Sequence, residues 1–146
     1  MLFRSMPEVF RALPGAEGWQ ISNPSILSAA PLLASLASFD HAGMQRLRKK
    51  SVSLTAYLES LLNQRLKDSL TILTPSDPAA RGCQLSLRLR RSPAEARAVH
   101  SILTDRGYIC DWREPDVIRV APVPMYNQFV EVWEFVQALQ EALTPH

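Results

Sequence analysis

Apolar and polar residues alternate through residues 83–89, which is the clearest strand pattern in the chain. Because successive side chains of a strand point to opposite faces, this alternation predicts a half-buried strand. The residues on its apolar face are Cys83, Leu85, Leu87 and Leu89. Three shorter apolar or β-branched runs predict further strands. They are residues 70–74, 108–111 and 117–121.

Apolar residues recurring at three- and four-residue spacing predict helices between and around these strands. The predicted helices span residues 24–39, 41–68, 93–106 and 128–143. Ser92, Pro93 and Glu95 form a capping-box pattern with proline at the first helical position, and Gly107 is a good residue to follow the helix end. Asp40 is the predicted cap of the long second helix. In the closing helix we expect an inward face. Its predicted members are Phe129, Val132, Trp133, Val136, Leu139 and Leu143.

The first predicted helix is unusual because it is small and apolar on almost every side. Ser22 and Asn23 are good helix caps, and Pro24 suits the first helical position. Pro31 within the helix predicts a kink. A helix with so few charges must be buried on most faces or packed against a partner.

The order of elements predicts an α+β fold, with a short, mostly antiparallel sheet covered by helices. At 146 residues the chain is one domain by length. The net charge of +2 and the interspersed charges argue against a nucleic-acid-binding surface. No apolar run is long enough for a membrane helix. Cys83 and Cys110 are predicted to be reduced core thiols in a cytoplasmic protein.

The sequence contains no complete catalytic constellation. The three histidines have no metal-ligand spacing, so we expect no metal site. The lysines all fall on the long helix rather than at a strand end, where a Schiff-base lysine would be desolvated. The carboxylates of Asp111, Glu114 and Asp116 cluster before the last strand, and a polar turn accounts for them without catalysis.

Arg119 and the pair Ser22 and Asn23 are the candidates for ligand binding. Arg119 lies in a short apolar strand just before Pro122, so it could be held for bidentate capture of a carboxylate or phosphate. The alternative is an edge-strand arginine that extends to solvent. Ser22 and Asn23 precede a helix, whose free N–H groups suit a phosphate. The alternative there is simple helix capping.

Several blocks of the chain resemble the C-terminal part of kynureninases, pyridoxal-phosphate enzymes of the aspartate-aminotransferase fold type. They include SNP at residues 22–24, RGCQLS at 81–86, GYICD at 107–111 and IRVAPVPMYN at 118–127. The resemblance runs in unbroken order from Pro14 to about Leu143. One departure is Ser25, where the family commonly has a second proline.

The resemblance implies hydrolysis of L-kynurenine, or 3-hydroxykynurenine, to anthranilate, or 3-hydroxyanthranilate, and L-alanine in tryptophan degradation and NAD biosynthesis. It implies that Asn23 contacts the phosphate region of pyridoxal 5'-phosphate, that Ser22 lies beside the aromatic part of the substrate, and that Arg119 pairs with its α-carboxylate. The family forms homodimers with the active site at the subunit interface.

The resemblance also implies that this chain is a C-terminal fragment, because the family's cofactor lysine precedes the matching blocks. Residues 1–39 are then a remnant of the large-domain and interface segment, and residues 40–146 are the small C-terminal domain with its long connecting helix. We expect the chain to be inactive alone, and to need either its own missing domain or a separate large-domain chain. The alternative is a non-catalytic α+β binding or oligomerisation module.

Overall fold

The computed structural model describes residues 9, 11–20 and 22–144. The chain divides into two compact units, Met1–Ser38 and Phe39–His146. A short 3-10 turn at Ala16–Trp19 precedes helix α1, Ile26–Ala42, which begins in the first unit and ends in the second. That residues 1–39 are a remnant of the large-domain and interface segment stays a prediction.

Helix α1 begins two residues later than its sequence pattern predicts. The carbonyl of Ser25 accepts the N–H of Ala29 at 2.9 Å, and the Ser25 hydroxyl lies 3.1 Å from that of Ser28. Serine is as good a cap as asparagine, and Ser25 directly precedes the uninterrupted helical run. Ser22 and Asn23 therefore lie ahead of the helix, and the prediction that they cap it is wrong.

The boundary between the first two helices also differs from the prediction. Helix α1 continues through Asp40 to Ala42, so Asp40 is not the cap of the next helix. Gly43, with φ +82°, separates α1 from α2, Met44–Arg65. This left-handed backbone conformation is one that glycine adopts at little cost. One face of α2 is buried in the core. Its members are Leu47, Ser51, Leu54, Thr55, Leu58, Leu61 and Leu62.

Four antiparallel strands form one sheet in the second unit, in the order β1-β2-β4-β3. The strands are β1, Leu70–Ile72; β2, Leu85–Leu89; β3, Asp111–Arg113; and β4, Val117–Val120. Strand β2 begins at Leu85 rather than at the predicted Cys83, which is only half-buried. The alternation predicted within the strand is confirmed, because Leu85, Leu87 and Leu89 are all buried. Their neighbours across the sheet, including Ile118 and Val120, are buried on the same face.

Strand β3 begins at Asp111 rather than at the predicted Tyr108. Helix α3, Pro93–Asp105, is closed by Gly107, whose N–H bonds the carbonyl of Thr104, and by Tyr108, whose N–H bonds that of Leu103. This is the double hydrogen-bond pattern of a Schellman helix end. It uses the backbone of Tyr108, so Tyr108 is unavailable for strand pairing. The predicted capping box between Ser92 and Glu95 is confirmed.

Helices α2, α3 and α4, Phe129–Leu143, contribute to one core with the apolar face of the sheet. The α+β prediction is confirmed. The inward face of α4 differs from the prediction at four positions. Phe135 and Ala138 are buried, whereas Phe129 and Trp133 are 46% and 41% exposed. Phe129 instead packs edge-on against Tyr57, and Trp133 lies beside the Arg65 guanidinium. The polar side chains of Ser86, Arg88 and Arg119 lie on the opposite face of the sheet.

Candidate carboxylate-binding site

Arg119 lies on an interior strand, because β4 is paired with β2 on one side and with β3 on the other. The alternative interpretation as an edge-strand arginine is therefore wrong. Its neighbours Ile118 and Val120 point into the core, so Arg119 points to the opposite face of the sheet. Its side chain is 30% exposed. The sheet thus holds the arginine backbone on both sides and presents the guanidinium on the polar face.

The guanidinium of Arg119 is paired with a carboxylate of this chain, that of Asp111. Nε of Arg119 donates a hydrogen bond to Oδ2 of Asp111, and Nη2 forms an ion pair with the same oxygen. The two residues are direct cross-strand partners. Arg113 adds a third contact, with its Nε 3.0 Å from the same oxygen. The hydrogen bond from Arg119 is the main cause that lowers the pKa of Asp111 below its ordinary value.

Strand β3 is anchored to helix α3 through the aromatic ring of Trp112. This ring lies 5.7 Å from the ring of His100, and the guanidinium of Arg97 lies 5.4 Å from its centre. Nε1 of Trp112 donates to Glu114 at 2.8 Å, and Arg97 forms an ion pair with the same carboxylate. These contacts fix the strand that carries Asp111.

The segment after β4 turns tightly into α4. The side-chain oxygen of Asn127 accepts the N–H of Val123 at 2.8 Å, and the N–H of Asn127 returns to the carbonyl of Val123. Glu131 accepts the N–H of Gln128 at 2.6 Å, and this hydrogen bond is the main cause that lowers the pKa of Glu131. The exit from β4 is therefore cross-linked by side-chain to backbone hydrogen bonds.

A groove of about 400 Å³ lies beside the end of β4, with Tyr108, Cys110, Pro122 and Asn127 among its lining residues. Burial raises the pKa of the Cys110 thiol to about 11. At neutral pH this cysteine is a protonated thiol and a poor nucleophile. Cys83 and Cys110 are both free, as predicted, but each is only half-buried rather than a core residue.

Arg81, in the RGCQLS block, has a structural position. Its side chain is only 4% exposed and forms a 2.5 Å ion pair with Glu59 on α2. It also donates to the carbonyl of Pro75 at 3.2 Å. These contacts tie the connection between β1 and β2 to helix α2. Arg81 therefore supports the fold and does not lie on the sheet face that carries Arg119.

Ser22 and Asn23 are exposed and belong to the first unit, whereas Arg119 belongs to the second. Among the described residues, the side chain of Asn23 makes no hydrogen bond. Asp111 is the functional candidate that sequence reasoning missed. The signal for it was the alternating Asp–x–Arg pattern in a strand next to Arg119, which places a carboxylate and an arginine on one face.

Residues 9, 11–20 and 22–144 contain neither a metal-binding cluster nor a membrane-spanning helix. No group of histidine, cysteine, aspartate or glutamate side chains in this range is arranged to hold a metal ion. In the same range, every helix is too short or too polar to cross a bilayer.

Comparison with known sequences identifies the family. The profile of the kynureninase C-terminal domain matches residues 47–139, which include Asp111, Arg113 and Arg119. The chain belongs to the kynureninase family. The resemblance inferred from the sequence blocks is thereby confirmed, including its restriction to the C-terminal part.

Curated kynureninases cover nearly the whole of this chain. The kynureninase of Xanthomonas euvesicatoria pv. vesicatoria is 54% identical over 138 residues, which are 94% of this chain and 32% of that enzyme. The kynureninase of Stenotrophomonas maltophilia is 49% identical over the same length and the same shares. The chain therefore spans about a third of the length of the curated relatives it matches.

Proposed function

We propose that this chain provides the substrate-carboxylate site of a kynureninase that hydrolyses L-kynurenine, or its 3-hydroxy form, to an anthranilate and L-alanine. The observation that carries the proposal is the guanidinium of Arg119, which is fixed on an interior strand and already pairs with a carboxylate. Membership of the kynureninase family supplies the substrate class.

Arg119 would hold the substrate by its α-carboxylate. A guanidinium presents paired N–H donors in a planar fork that matches the two oxygens of a carboxylate. Fixing that group at one end of an amino acid restricts rotation of the whole molecule and orients the bond to be broken. When bound, pyridoxal phosphate would supply the electron sink for cleavage between the β and γ carbons.

Asn23 fits a contact to the cofactor phosphate. Its exposed amide precedes the N-terminus of α1, a helix of 17 residues whose first N–H groups carry partial positive charge. Ser22, next to it, would lie beside the aromatic part of the substrate. We place the Schiff-base lysine outside this chain, because Lys49 and Lys50 lie on the long helix α2 and Lys67 just beyond its end.

Helix α1 has the properties of a surface that a partner chain covers. None of its residues is buried, although most of its side chains are apolar. The large exposed side chains are Ile26, Leu27, Leu32, Leu33 and Leu36. We propose that a second copy in a homodimer, or a separate large-domain chain, covers this helix. A cytoplasmic location stays a prediction.

The proposal is tested by joining this chain to the N-terminal part of the X. euvesicatoria kynureninase, in place of the segment it matches there. The hybrid enzyme should release anthranilate from kynurenine in the presence of pyridoxal phosphate. The chain alone, with the same cofactor, should give neither a Schiff-base absorbance band nor anthranilate.

Three results would contradict the proposal. A folded hybrid that binds the cofactor but leaves kynurenine intact would contradict the proposed kynureninase activity. A Schiff-base band in the chain alone that disappears on replacing Lys49, Lys50 or Lys67 would place the cofactor lysine within it. A folded chain that adds no function to the hybrid would favour the non-catalytic module.

A further inference from the structure

The carboxylate of Asp111 contacts only part of the Arg119 guanidinium. The guanidinium carries five N–H donors, which form a side fork at Nε and one Nη and an end fork between the two Nη atoms. Asp111 occupies the side fork, through Nε and Nη2. Among the described residues, no acceptor contacts Nη1 of Arg119. The end fork is thus open to a second carboxylate while Asp111 stays in place.

Asp111 is well held for such a role. Its strand is anchored through Trp112, and the backbone pairs directly opposite Arg119. Its Oδ2 also accepts a hydrogen bond from Arg113. Because two arginines share this one carboxylate, the cluster keeps a positive charge after Asp111 is counted. A substrate carboxylate approaching the end fork therefore meets net attraction.

We propose that Asp111 is a positioning residue: it grips the Nε side of Arg119 and directs the end fork of the guanidinium toward the substrate α-carboxylate. The inference rests on the proposed function of Arg119. A free arginine side chain has several rotatable bonds, and ordering it on substrate binding costs conformational entropy. Asp111 removes part of that cost before the substrate arrives, which is preorganisation of a binding group.

The test compares Asp111→Asn and Asp111→Ala in the hybrid enzyme with an Asp116→Asn control. Asp116 is a nearby carboxylate that pairs with Arg88 instead of Arg119. We expect Asp111→Ala to raise KM for kynurenine about tenfold, a loss typical of one hydrogen bond to a charged group. Asp111→Asn, which keeps one acceptor oxygen, should recover part of the loss. Asp116→Asn should leave KM unchanged.

The binding of a kynurenine analogue without the α-carboxylate separates positioning from general damage. Its inhibition constant should be the same in the parent enzyme and in Asp111→Ala, because it does not use the Arg119 fork. If both ligands lose affinity equally, Asp111 is only structural and the inference is wrong. If Arg119→Lys raises KM and Asp111→Ala does not, the inference fails while the proposed function stands.

A second measurement uses the chain as it is and does not depend on the hybrid. In its NMR spectrum, the Nε–H of Arg119 should exchange slowly with water and shift when Asp111 is replaced by asparagine. The Nε–H of Arg90, which donates a 3.3 Å hydrogen bond to the hydroxyl of Thr71, serves as the internal control. An Arg119 signal identical in both proteins would overturn the inference.

Discussion

The buried ion pair between Arg81 and Glu59 gives the sharpest test of how this domain is held together. Replacing Arg81 by methionine keeps an unbranched side chain of similar length and deletes the guanidinium. The carboxylate of Glu59 then has no partner in a site where it is 20% exposed, and the carbonyl of Pro75 loses a donor. Arg81 itself, at 4% exposed, has little access to water in the parent protein.

The expected loss follows from this burial. Breaking a fully buried ion pair by removing one partner costs about 3–5 kcal/mol. Because Glu59 retains some contact with water, we expect a smaller loss for Arg81→Met, about 2–3 kcal/mol. In a unit of this size that corresponds to a fall in Tm of roughly 10 °C.

Arg88→Met is the matched control, since it makes the same substitution on the polar face of the sheet. The carboxylates of Glu59 and Asp116 are similarly exposed, at 20% and 22%, so the two variants differ in the arginine that is removed. Arg88 is 54% exposed and lies 3.4 Å from Asp116, so its loss should cost under about 1 kcal/mol. Both variants are measured by urea unfolding followed by circular dichroism. Equal losses in the two variants would refute the argument from burial.

Three further predictions concern local structure and charge. Ser92→Ala removes the cap of α3 and should lower the free energy of unfolding by about 1 kcal/mol in urea; an unchanged midpoint would contradict the capping box. Gly107→Ala, at φ +87°, should cost about 1 kcal/mol, whereas Gly82→Ala, in open space without positive φ, should stay within about 0.5 kcal/mol; equal effects would contradict the helix-end geometry. The pKa of Asp111 is lowered in the folded state, so its stabilising contribution is present above the unfolded pKa of about 3.9 and is lost as pH falls through the folded value. Carboxyl NMR titration should show that pKa rise in Arg119→Gln, and an unchanged pKa would contradict the ion pair.

The parts of the fold that follow from local rules were predictable from the sequence. The alternation of Leu85, Leu87 and Leu89 and the capping box at Ser92 depend on neighbouring residues, and both are confirmed. The start of β3 was not predictable. Tyr108 is a residue type common in strands, but its N–H donates to the carbonyl of Leu103 at the end of α3. The strand order was not predictable either, since it depends on pairing between distant segments.

In the candidate site too, features set by neighbouring residues were predictable and features set by strand pairing were not. The position of Arg119 within a strand could be inferred from its apolar neighbours, but its choice between an edge and an interior strand required the sheet order. The sequence pattern puts Asp111 at the end of the predicted strand 108–111, and a polar turn accounts for its carboxylate together with those of Glu114 and Asp116. Only the register between β3 and β4 places its carboxylate on the guanidinium.

The central claim is that Arg119 holds the α-carboxylate of the substrate. It is tested most directly by measuring, in the hybrid enzyme, how Arg119→Gln changes the affinity for a kynurenine-type ligand with and without that carboxylate. Loss of two charge-assisted hydrogen bonds should weaken the carboxylate-bearing ligand by roughly 100-fold or more and leave the ligand without it unchanged. Arg88→Gln should affect neither ligand. Equal affinity of the Arg119→Gln and parent enzymes for the carboxylate-bearing ligand would contradict the claim.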